Sequence, residues 1–63
     1  MNNPTNLPLL LTREQSSSYL GVDPKSFDTY IRASDDLPRF MIGRQERFTV
    51  NALNEFIITH SIS

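Results

Sequence analysis

Residues 12–31 read TREQSSSYLGVDPKSFDTYI, and this stretch carries two helix starts separated by a glycine. Thr12 is a good N-cap, and Gln15 three residues on completes a capping box, in which each side chain serves the other's backbone N–H. The pattern predicts a first helix over 13–20. Gly21 then ends it, since glycine alone enters the left-handed conformation beyond a helix end at no steric cost. Ser16-Ser17-Ser18 is a poor helix interior because serine hydroxyls compete for backbone partners, so this helix must be held by packing. Asp23-Pro24 follows at once, an N-cap residue with Pro at the first helical position. It predicts a second helix from Pro24 to about Ala33, with Phe27 and Ile31 inward and Tyr30 bordering them. Two short helices joined by a tight Gly turn have the form of a helix-turn-helix.

Downstream, Ser34-Asp35-Asp36 is a turn and Leu37-Pro38 breaks away from helix. Two β-prone runs, Arg39-Phe40-Met41-Ile42 and Glu46-Arg47-Phe48-Thr49, flank Gly43-Arg44-Gln45 and predict a β-hairpin. Thr49 caps a last helix whose Val50, Leu53, Phe56 and Ile57 form one apolar stripe. The expected order is helix, helix, hairpin, helix: one α+β domain over 10–58, with a flexible polar lead-in over 1–9 and a tail over 59–63. Phe27, Ile31, Phe48, Leu53 and Phe56 are expected to make its single core.

With 63 residues there is room for one small core. The lack of Cys excludes disulfides and Cys-based metal sites and fits a reducing cytoplasm. Leu9-Leu10-Leu11 is far too short to span a bilayer, and no basic segment precedes it as in a signal peptide, so a soluble cytoplasmic protein is expected. No catalytic constellation is visible: Asp35 and Asp36 are adjacent turn residues without a nucleophile, and His60 has no second ligand at metal spacing. Neither an enzyme nor a metal or cofactor protein is expected. The formal charge of -1 runs against the basic balance usual in a nucleic-acid binder. Locally it is different, since Arg39, Arg44 and Arg47 face only Glu46 between Leu37 and Val50.

In this order, Leu10-Leu11-Thr12 with Gln15, Tyr19-Leu20-Gly21-Val22, Phe27, Ile31, Leu37-Pro38, Ile42-Gly43-Arg44, Arg47-Phe48, Leu53 and Phe56-Ile57 resemble the excisionase-like and AlpA-like small proteins of phages and mobile elements. That domain is related to the DNA-binding head of MerR-type regulators. The resemblance covers about residues 10–57. It implies a winged helix-turn-helix that binds double-stranded DNA, with the second helix in the major groove and the hairpin, as a wing, at the minor groove. It also implies a recombination directionality factor (an excisionase) that binds and bends sites beside an integrase, or a transcriptional regulator of a mobile element on the same domain. The chain departs from the family at Gln15-Ser16-Ser17, where Glu and two alanines are usual. It departs again at Asp23, where Ser or Thr is common, and at Asp28 and Thr29, often an aromatic and a basic residue. The acidic turn at Ser34-Asp35-Asp36 is also slightly longer than usual.

Opposite Phe27 and Ile31, the second helix offers Lys25, Ser26, Asp28, Thr29 and Arg32, the residue types that reach base edges and phosphates. Asp28 would repel phosphate unless it accepts from a cytosine amine or orients Arg32 one turn on. The same residues also read as an ordinary solvated face with an ion pair. In the hairpin, Arg39, Arg44, Gln45 and Arg47 are the candidates, arginine being favoured where a narrow groove concentrates negative potential. Arg47 reads equally well as a structural residue paired to a carboxylate of the domain. The contrasting function is a protein-interaction module that kept the fold and lost DNA binding, which Asp28 and Asp35-Asp36 favour. Head-to-tail self-association, with Asp35-Asp36 of one copy against Arg39 or Arg44 of the next, is a further expectation. Ile58 and Ile62 are an alternative sticky element that could dock an integrase.

Overall fold

Each helix begins where a side-chain oxygen can take its orphaned N–H groups. A computed structural model of the chain describes residues 8–61, so the expected lead-in up to Leu7, and Ile62 in the tail, lie outside the described residues. Thr12 and Gln15 close the capping box at the start of α1 (Arg13–Leu20). Gly21, at φ 78°, ends it: the N–H of Gly21 reaches the Ser18 carbonyl and that of Val22 the Ser17 carbonyl, the paired bonds of a Schellman ending. The Asp23 carboxylate accepts from the Ser26 N–H at 3.0 Å and from the Ser26 hydroxyl at 2.7 Å, starting α2 (Pro24–Ser26). That single turn continues into a π-helical segment, Phe27–Arg32, where a plain α-helix to Ala33 was expected. The two segments together are the second helix.

The hairpin pairs β1 (Phe40–Ile42) with β2 (Gln45–Arg47) in the register Phe40 to Arg47, Met41 to Glu46 and Ile42 to Gln45. Its two-residue turn is Gly43-Arg44, with Gly43 at φ 62° and Arg44 not at positive φ, as a type II′ turn requires. Gln45 therefore opens β2 instead of sharing the tip. Thr49 accepts the Ala52 N–H at 3.1 Å to start α3 (Val50–His60), which runs two residues beyond the boundary expected at 58.

Leu11, Phe27, Leu37, Phe48, Leu53 and Phe56 make the buried core, with Leu20, Ile31, Val50 and Ala52 packed around it. Phe27 and Phe48 meet edge to face, with ring centroids 5.2 Å apart. Two residues of this core, Leu11 and Leu37, were not anticipated. Leu11 exchanges both backbone hydrogen bonds with Phe48, at 2.7 and 2.8 Å, and so lays the entry to α1 beside the chain leaving β2. One expected core member, Ile31, is only partly buried at the edge of the core, and Ile57, expected on the apolar stripe of the last helix, is exposed. Ser16 and Ser17 are both buried, and their small size lets α1 sit against the core. Ser17 donates to the Arg13 carbonyl at 2.8 Å, whereas the Ser16 hydroxyl has no partner. No described helix is long and apolar enough to cross a membrane. The architecture is a small α+β domain of three helices and a two-stranded antiparallel hairpin.

Candidate nucleic-acid interface

Charged side chains on three elements form one chain. Arg13 on α1 grips Asp28 on the second helix, its Nε 2.8 Å from Oδ1 and its Nη2 2.8 Å from Oδ2, and touches Glu14 at 3.0 Å. Arg32 lies 3.7 Å from Asp28, and its Nε donates to Glu46 Oε1 on β2 at 2.8 Å. The other Glu46 oxygen accepts from Arg39 Nη1 at 3.0 Å. Arg39 also donates to the Arg32 and Ser34 carbonyls and stands over the Phe48 ring. The Arg13 hydrogen bonds, opposed by partial burial and aided by the charges of Arg13 and Arg32, hold the Asp28 carboxyl below the usual carboxylate range. The same contacts with Asp28, and lesser ones with Glu14, raise the Arg13 guanidinium. Asp23 is lowered by the Ser26 hydroxyl and then by the Ser26 N–H, the mark of a working cap.

Several expectations are corrected by this network. Asp28 serves α1 first: its shorter, two-pronged contact is with Arg13, and Arg32 is only its distant second partner. Arg32 and Arg39 are not free cations of an outward face, because Glu46 lies between them and pairs with both. Among the described residues Arg47 has no carboxylate partner; its guanidinium donates to the Glu46 backbone carbonyl at 2.9 Å and to Gln45 Oε1 at 3.2 Å. Ser26 is committed to the Asp23 cap, and the Thr29 hydroxyl turns back to the Lys25 carbonyl at 3.0 Å. Among the described residues, Lys25, Arg44 and Arg47 are the cations without a carboxylate partner. Lys25 stands exposed on the first turn of the second helix and Arg44 exposed at the hairpin tip. The Arg32–Glu46 contact ties these two elements to each other.

Arg13 and Glu46 organise the expected surface, yet neither was a candidate. Tyr30, placed beside the inward face by α-helical spacing, is instead 75% exposed. The signal for Glu46 was present as the lone acid among the hairpin arginines, although its partners were not. His60 is also more than a tail residue: its ring stacks on Phe56 with centroids 4.0 Å apart, and its Nε2 lies 3.1 Å from Asp36. Among the described residues, no group of three or more His, Cys, Asp or Glu is placed to hold a metal ion. What the exposed cations and polar donors can do chemically is bind an anion, and their spread over two elements suits a polyanion. Comparisons with protein-family models, curated proteins and solved structures find no match.

Proposed function

We propose that this domain is a winged helix-turn-helix that binds double-stranded DNA sequence-specifically, with its second helix in the major groove and the Gly43-Arg44 tip at the adjacent minor groove. The observation that carries this reading is the Arg32–Glu46 contact at 2.8 Å, which holds helix and hairpin together while Lys25 and Arg44 stay exposed on them. Two elements so joined match the way such modules straddle a phosphate strand. The resemblance to excisionase-like proteins supports a narrower form of the proposal: a recombination directionality factor of a phage or mobile element, acting in the cytoplasm and bending DNA beside an integrase. Excision assays with an integrase, set against promoter reporters, separate that role from transcriptional regulation on the same fold.

A second reading, a protein-interaction module that no longer binds DNA, is favoured by one observation. Phe40, Met41 and Ile42 are all about half exposed along β1, an apolar run that solvent alone does not explain. A gel shift over genomic fragments at two salt concentrations decides between them. DNA binding gives discrete shifts that weaken with salt. The interaction module gives none.

A further inference from the structure

Glu46 stands where the proposed DNA complex would need no negative charge. If the second helix lies in a major groove and the hairpin tip in the neighbouring minor groove, the phosphate strand dividing the grooves must pass between these elements. Their junction holds Arg32, Arg39 and the Glu46 carboxylate, whose oxygens lie 2.8 and 3.0 Å from the two guanidinia. The pairing register puts Glu46 on one face of the hairpin with Met41, opposite the face shared by Phe40, Ile42, Gln45 and Arg47. Its side chain is 20% exposed, against 40% for Arg32 and 32% for Arg39, so the acid is withdrawn and the cations keep open edges. Glu14, Arg13, Asp28, Arg32, Glu46 and Arg39 alternate in sign and sum to zero, so the network as a whole adds no net positive charge, and at the junction Glu46 offsets one of the two guanidinia that a phosphate would meet.

We propose, building on the DNA-binding reading, that Glu46 is a specificity-determining residue: an internal substitute for phosphate that holds Arg32 and Arg39 back from DNA of any sequence. The two guanidinia engage a phosphate strand only by exchanging the carboxylate for it. That exchange is costly on arbitrary DNA and is offset only where the second helix makes good base contacts. Affinity for arbitrary DNA rests on phosphate contacts, whereas specific affinity adds base contacts, so the substitute suppresses the first more than the second. A six-cation domain thereby gives up general affinity and keeps discrimination.

The test uses the full chain and a short random-sequence duplex, over a salt series, with wild type, Glu46→Gln and Glu55→Gln. Glu55 is exposed on α3 and has no cation partner among the described residues, so both substitutions remove one negative charge and only one frees arginines. The Glu46→Gln variant should bind several-fold tighter, with a log–log salt slope steeper by about 1 to 2, one for each guanidinium released. Glu55→Gln should leave the slope close to wild type. Equal effects of the two substitutions would reduce Glu46 to general charge and overturn the inference. Weaker binding by a Glu46→Gln protein that melts normally would also overturn it, showing instead that Glu46 positions the arginines for DNA. Should Glu46→Gln fail to fold, the Glu46 carboxyl carbon resonance of wild type is followed on adding a genomic fragment that wild type shifts in the gel assay; a shift of the resonance supports the exchange, and a stationary signal defeats it. With Arg44→Ala as a fourth protein in the series, binding that Arg44→Ala weakens but Glu46→Gln leaves unchanged keeps DNA recognition standing and removes this inference alone. No binding to the random duplex by any of these proteins removes this inference, and only the absence of discrete shifts over the genomic fragments as well removes the DNA-binding reading.

Discussion

Ser16 is buried with its hydroxyl unpartnered, in a helix whose middle is three serines. An orphaned buried hydroxyl costs about 1–3 kcal/mol, and alanine is the better helix former. Ser16→Ala should therefore stabilise the domain by about 1 kcal/mol, raising the melting temperature by about 4–8 °C in a domain of this size. A lower melting temperature in calorimetry would mean that the hydroxyl has a partner in solution. Asp28 gives a pH prediction. Its carboxyl titrates lower in the folded protein, because of Arg13, than in the unfolded chain, where the value is about 3.9. The stability it contributes is therefore fully present above about pH 4 and is lost as the pH falls through the lower folded value. Asp28→Asn should flatten the acid side of the stability curve while lowering stability at neutral pH. The pair is partly exposed, so added salt should shrink the difference. Melting curves of the two proteins at falling pH test both the sign and the window.

At the scale of elements, the hairpin and α3 have separable jobs. Arg44 sits at the turn, exposed and without a carboxylate partner among the described residues, so nothing in the fold depends on its charge. Arg44→Ala should weaken DNA binding and flatten its salt dependence with the melting temperature nearly unchanged. Unaltered affinity would take the hairpin tip out of the interface. Phe56 faces the core from α3 and carries the His60 ring on its own. Phe56→Ala should cost about 3–5 kcal/mol, close to the whole stability of a domain with so small a core. Circular dichroism should show loss of a cooperative melt. A retained one would mean that α3 is not packed as described.

For the molecule as a whole, charge pairing limits what one copy can do. Three of the six cations are balanced within the network, so on the proposed DNA-binding reading Lys25, Arg44 and Arg47 are the cations open to phosphates until Glu46 gives up Arg32 and Arg39. The salt slope scales with phosphates neutralised, so a single copy should bind an isolated site weakly and with a shallow slope. Strong binding should need neighbouring copies or a partner protein, which share binding energy through raised effective concentration. Titration of DNA bearing one, two or three sites should show binding that tightens with site number. Tight, non-cooperative binding to one site would refute this.

The residues alone determined the local events. The starts at Thr12, Asp23 and Thr49, the stop at Gly21 and the turn at Gly43 each follow from hydrogen bonds or backbone freedom within a few residues. Such contacts are set before any distant part of the chain arrives, so they are legible in order. Tertiary structure alone decided which acid each arginine would take. The i,i+4 spacing pointed Asp28 to Arg32, yet Arg13, fifteen residues away in the chain, takes it at 2.8 Å and leaves Arg32 at 3.7 Å. Arg32 in turn takes Glu46, fourteen residues away. Packing of Phe27 against Phe48 brings the second helix to the chain just beyond β2, where Leu11 pairs with the Phe48 backbone. The partner of an ion is whichever opposite charge packing leaves nearest, and spacing along the chain carries no record of that.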